Sequence, residues 1–148
     1  MQFEHLIALD DPPPLTRQQA WAGLVQRMEN PLPFLPSLEA CTILERHADH
    51  LIRELDFGAA RIRDRVTWAE AYWVRFEIEP TGQHAGGSLR ISIEEGEAGR
   101  LLLRFAYATH GAGSEDEAFG EIIQAAYRQS DHDCVRVIRA LAAKTKTP

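Results

Sequence analysis

The chain has 148 residues, close to the roughly 150 expected of one domain, and it is read as a single domain over residues 1–148. Apolar residues make up 45% and charged residues 26%, which excludes a disordered chain, a fibrous repeat and a coiled coil. A formal net charge of −6 with no run of Lys or Arg argues against nucleic acid as a partner.

Residues 2–9 alternate, with Phe3, His5, Ile7 and Leu9 on one side, which predicts a strand that Asp10 to Pro14 ends. Thr16 and Gln19 form a capping box for a helix over residues 17–29, with Trp21, Leu24, Val25 and Met28 as its apolar stripe. Asn30-Pro31 stops that helix, and Leu32 to Pro36 leaves room for one further short helical turn. Period-two patterning then predicts strands over about 38–47, 50–57, 60–68, 72–79, 88–95 and 100–109. Tyr72, Val74, Phe76 and Ile78, then Leu89, Ile91 and Ile93, then Leu101, Leu103, Phe105 and Tyr107 carry the apolar phase. Short connections and polar residues between these positions indicate an antiparallel sheet with one face in water.

One hairpin can be registered from the sequence. A two-residue turn at Gly58-Ala59 places Leu55 opposite Ile62 and Leu51 opposite Val66 on the inner side. On the outer side it sets Glu54 against Arg63 and Asp56 against Arg61, and a one-residue slip loses both matches.

Gly111 to Gly113 breaks the last strand, and Ser114 with Glu117 suggests a second capping box. Phe119, Ile122, Ile123, Ala126, Tyr127, Cys134, Val135, Ile138, Leu141 and Ala142 then line one side of a helix running to about residue 144, roughly 45 Å long. The polar stretch Arg128 to Asp133 is a place for a kink, and residues 145–148 should fray. The expected fold class is α+β: a curved antiparallel seven-stranded sheet around a long C-terminal helix, with two short helical segments after the first strand. A wide twisted sheet gripping one helix leaves space at one end, and such a space is a ligand cavity.

Several stretches resemble a known family. They are Phe3-Glu4-His5, Pro31 to Cys41 leading into Ile43-Leu44-Glu45-Arg46, Arg53 to Gly58, Ile62 to Val66, and Tyr127 to Asp131. Over nearly the whole chain they resemble the START-like, or SRPBCC, helix-grip superfamily, and locally its AtaL-like branch. The resemblance implies a hydrophobic cavity between sheet and terminal helix. Because that superfamily spans lipid carriers, hormone binders, polyketide cyclases and co-chaperones, it does not assign an activity.

Asp64 shares the inner phase of Ile62 and Val66, where an unpaired acid is costly, and the hairpin register sets Arg53 opposite. The two form a buried ion pair that fixes register, or Arg53 anchors a ligand carboxylate or carbonyl while Asp64 holds it. His5 is either a hydrogen-bonded core histidine or a cavity acid–base group. Tyr127 and Ser130 fall on the apolar stripe of the last helix, where their hydroxyls can orient a ligand or bond to the backbone. Phe34, beside Leu35, is placed at the cavity mouth, with Phe76 and Phe105 in its apolar wall. Trp73 points outward, a weak sign of an oligomer interface; a homodimer stays open.

Neither a metal nor a cofactor is expected. His47 and His50 lack further ligands nearby, and His132 and Cys134 diverge on a helix. Gly111 to Ser114 has no Walker lysine and is followed by Glu115 to Glu117, so it reads as a turn and cap. The loop Gly82 to Gly87, with His84, is a surface hairpin or a gate. No run approaches the roughly 18 apolar residues of a membrane helix. The start lacks a signal-peptide pattern, and Cys41 and Cys134 read as reduced thiols. The expectation is a cytoplasmic protein without stable membrane anchoring.

The favoured function is binding or carriage of a hydrophobic small molecule. One alternative is an enzyme of the polyketide cyclase or dehydratase kind, with Asp64 or His5 as base and Arg53 stabilising an enolate. Another is a protein–protein interaction module or co-chaperone with a collapsed cavity.

Overall fold

The computed structural model describes residues 2–81, 86–109 and 117–145, with side chains in the last segment from 125 to 144. In chain order it contains β1 (Gln2–Ala8), α1 (Arg17–Glu29), a 3-10 turn (Leu32–Phe34), β2 (Ala40–Arg46), β3 (His50–Asp56) and β4 (Arg61–Ala69). There follow β5 (Trp73–Ile78), β6 (Gly87–Glu95), a second 3-10 turn (Glu97–Gly99), β7 (Leu101–Thr109) and α2 (Glu117–Thr145). The seven strands form one antiparallel sheet in the order β1-β7-β6-β5-β4-β3-β2. Its inner face supplies Leu51, Val66, Val74, Ile91, Leu103 and Phe105 to the core. α1 and α2 add Leu24, Met28, Val135 and Ile138.

The capping box at Thr16 is formed in both directions: Gln19 N–H donates to Thr16 Oγ1 at 3.1 Å, and Thr16 N–H donates to Gln19 Oε1 at 2.9 Å. It starts α1 where the sequence places it. The β3–β4 hairpin has the expected register, with Leu55 opposite Ile62, Arg53 opposite Asp64 and Leu51 opposite Val66. Gly58 turns the chain at φ 84°, a left-handed conformation that favours glycine, and donates to Asp56 Oδ1. Glu54 and Asp56 face Arg63 and Arg61 in the ladder. The contacts, however, converge on Arg61, at 3.9 Å from Glu54 and 3.8 Å from Asp56. Arg61 is exposed, so these pairs contribute little.

Three local readings change, and β2 adds a feature that the sequence pattern does not show. Tyr72 does not continue the inner phase of β5. It lies in the turn before that strand, 62% exposed, because Ala71 adopts a left-handed φ of 69°. β2 carries an irregularity between Ile43 and Glu45 that leaves Leu44 exposed on this edge strand. α1 buries Ala20, Gly23, Leu24, Arg27 and Met28, a face turned by about one residue from the expected stripe. The small Ala20 and Gly23 cause this shift, since a Cβ on Gly23 would lie 2.6 Å from Ile138 Cγ1 of α2. Finally, α2 is helical without interruption through Arg128–Asp133. Asp131 in that stretch lies on the buried side between Tyr127 and Val135. The cap at Ser114, the loop with His84 and the side chains of Phe119, Ile122 and Ile123 lie outside the described residues.

Candidate functional site

Arg53 and Asp64 are each 2% exposed and meet on the inner face of the sheet. Arg53 Nε donates to Asp64 Oδ1 at 2.9 Å and Nη2 donates to Oδ2 at 2.6 Å, a bidentate pair. Nη1 turns the other way and donates to the carbonyls of Arg27 (3.0 Å) and Met28 (3.1 Å). These carbonyls belong to the last turn of α1, where intrahelical partners run out. Four of the five guanidinium N–H groups are therefore committed within the protein. The ion pair fastens α1 to β3 and β4.

That fastening presents Arg27 inward. Arg27 is 7% exposed and lies against the rings of Phe34 and Phe76, its guanidinium carbon 5.7 and 5.5 Å from their centroids. It is not among the residues singled out from the sequence. The available signal was its spacing, three residues from Leu24 and four from Gly23, on the face made by Ala20, Gly23 and Leu24.

A second polar cluster joins α2, β1 and β7. Asp131 is 1% exposed; Tyr107 Oη donates to its Oδ1, and His5 Nδ1 lies 3.1 Å from its Oδ2. Burial raises the Asp131 carboxyl above the ordinary range, while the bonds from Tyr107 and His5 and the charge of Arg27 oppose that rise. Burial also pushes up the Tyr107 phenol, and the adjacent Asp131 carboxylate adds to the effect. Tyr107 stacks on Tyr127 with ring centroids 4.0 Å apart and 3° between planes. His5 meets His132 edge-on at 5.2 Å.

Between these clusters lies a cavity of about 250 Å³. Of the residues nominated from the sequence, Arg53, Asp64, Phe76 and Tyr127 line it, and Arg27 and Tyr107 join them. Leu55, Ile62, Ile78 and Leu89 supply apolar wall, with Pro31 and Leu35 at the α1 end. His5 and Ser130 are not among the lining residues; His5 instead contacts Asp131, through the oxygen that Tyr107 does not use. Phe34 and Phe105, 2% and 0% exposed, pack in the core behind the wall. Leu35, rather than Phe34, is at the rim.

Elsewhere, the His47 and His50 rings stack at 4.2 Å, and each contacts a neighbouring carboxylate, Glu45 or Asp49. Trp73 lies half-buried beneath Arg90. Among the described residues no group of three or more His, Cys, Asp or Glu is arranged to hold a metal, and no helix is long and apolar enough to cross a membrane.

The family model for AtaL, acetylaranotin biosynthesis cluster protein L, matches residues 5–145. No curated protein matches the chain in sequence. Among solved structures, Ara h 8.0201 superposes with a TM-score of 0.63 at 13% identity, covering 95% of this chain and 98% of that one. The Zhui aromatase/cyclase from Streptomyces sp. R1128 gives 0.66 at 17%, covering 97% and 94%. The di-domain aromatase/cyclase StfQ from the steffimycin biosynthetic pathway gives 0.70 at 13%, covering 97% of this chain and 51% of its own. At these identities the likeness is one of fold, the helix-grip SRPBCC type.

Two outcomes follow from the buried charges. Arg53→Met and Asp64→Leu should each cost about 3–5 kcal/mol in urea unfolding, because each strands a buried charge, and the double variant should cost less than either. Additive losses contradict the pairing. Because the folded pKa of Asp131 lies above its unfolded value, the native state binds the proton more tightly. The contribution of Asp131 to stability should therefore fall as pH rises from about 4 through the raised value. Asp131→Asn lacks this fall, so its stability deficit should shrink over the same range; a deficit that widens contradicts the assignment.

Proposed function

This chain belongs to the AtaL family, the family of acetylaranotin biosynthesis cluster protein L, and on that footing we propose that it binds and carries a hydrophobic small molecule in the cavity between sheet and α2. The observation that carries the reading is the 250 Å³ cavity itself, walled mainly by Leu55, Ile62, Phe76 and Leu89 with a few convergent polar groups. An apolar wall with sparse, fixed polar atoms is the chemistry of a small-molecule site. Its volume sits just under the range of about 300–1,000 Å³ common for drug-sized ligands, so the ligand is compact, on the scale of two or three fused rings. In the proposed site Phe76 and Tyr127 supply contact area. Arg53 and Asp64 close one end and serve the ligand by fixing α1.

A second reading is an enzyme of the aromatase/cyclase kind, the kind of two of the structural neighbours. One observation favours it: Tyr107, which lines the cavity, is bonded to the buried Asp131, so a titratable pair borders the cavity. Asp64, the base nominated from the sequence, is committed to Arg53, and a carboxylate so paired is a weak base. His5 reaches the pair only through Asp131.

The test is occupancy. N-phenyl-1-naphthylamine, a neutral fluorophore that brightens in apolar surroundings, should bind saturably at one site. Ile62→Trp, which fills the wall with a larger ring, should weaken that binding about tenfold or more with the fold intact by circular dichroism. Unsaturable binding, or saturable binding that Ile62→Trp leaves unchanged, contradicts the proposal.

A further inference from the structure

Two arginines reach this cavity, and their donors are in different states. Arg53 has four of its N–H groups bonded to Asp64 and to the end of α1. Arg27 takes part in none of the ion pairs among the described residues. Its partners are the faces of Phe34 and Phe76 and the thiol of Cys134. Aromatic faces and the negative end of the α1 dipole hold a cation in place without accepting its in-plane hydrogen bonds.

Among the described residues no buried side-chain nitrogen or oxygen lacks a partner. A guanidinium nitrogen of Arg27 without a partner among the described residues is therefore not fully enclosed, and Arg27 lines the cavity. The carboxylate nearest in electrostatic effect, Asp131, spends its two oxygens on Tyr107 and His5. Tyr107 in turn gives its proton to Asp131, so its oxygen presents only lone pairs to a ligand. Among the described lining residues, Arg27 is thus the charged donor outside any ion pair, in a wall that is mainly apolar.

We infer that Arg27 is the receptor for an anionic oxygen, so that the cavity takes a compact apolar molecule ending in a carboxylate or enolate. The inference rests on the proposed use of the cavity as a ligand site and adds the charge class of the ligand. A buried guanidinium with open N–H groups favours such an oxygen over a neutral carbonyl, because charge-assisted bonds are roughly twice as strong. It also disfavours a purely hydrocarbon ligand, which would leave those donors without water or partner.

The experiment compares 2-naphthoate with 2-naphthamide, which differ in charge and hardly in size, by isothermal titration calorimetry at neutral pH. Wild type should prefer the naphthoate by about tenfold or more. Arg27→Met should lower naphthoate affinity to that of the amide and leave amide binding within about twofold, while Arg27→Lys keeps most of the preference. If Arg27→Met does not fold, as judged by circular dichroism and melting, Arg27→Gln takes its place with the same expectation. Equal affinities in wild type, or a preference that survives loss of the charge, overturn the role of Arg27 and leave the cavity reading standing. Failure of both compounds to bind overturns both.

Discussion

The structure depends on one buried guanidinium with four of its five N–H groups committed. Arg53 grips Asp64 across the β3–β4 hairpin and caps the last carbonyls of α1, so a single side chain ties together the sheet and the helix lying over it. A charge buried to 2% exposure is tolerable only with such a set of partners. The carbonyls at the end of α1 would otherwise need water inside the molecule. Each half of the arrangement removes the cost of the other, and the end of the cavity becomes a rigid wall.

From that wall follows the division of labour among the polar groups of the cavity. Arg53 and Asp64 neutralise one another and are chemically quiet. Arg27, whose own carbonyl the clamp holds, lies against Phe34 and Phe76 and takes part in no ion pair among the described residues. On the far side Asp131 orients Tyr107 and His5. A lining that was apolar throughout would bind by shape alone; a few fixed polar atoms make the site selective for where a ligand carries its oxygen atoms.

Much of this was legible in the chain. Period-two runs located six strands from residue 40 onward, and the charge matches around Gly58-Ala59 gave the hairpin register that places Arg53 opposite Asp64. What the sequence hid were polar residues buried by geometry beyond their own element. Asp131 lies in a polar stretch that reads as a break, yet it sits four residues from both Tyr127 and Val135 and so faces inward with them. Arg27 is buried because Ala20 and Gly23 let α2 approach, which turns that face of α1 toward the core. Small residues leave a weak mark on a hydrophobic pattern, and their effect on a neighbour appears only when the second helix is in place. His5 was put on the correct side of β1, but whether it met the cavity or Asp131 depended on a residue 126 positions away.

The central claim is that this helix-grip chain encloses a compact apolar ligand with an acidic end. Native mass spectrometry of freshly purified protein, set against the denatured mass, tests it most directly. The account predicts an added mass of one small molecule that is released on denaturation and proves to be an acid, or, for protein isolated empty, an added mass after incubation with 2-naphthoate. Identical native and denatured masses with no uptake of 2-naphthoate, or a retained ligand that carries no ionisable oxygen, would contradict it.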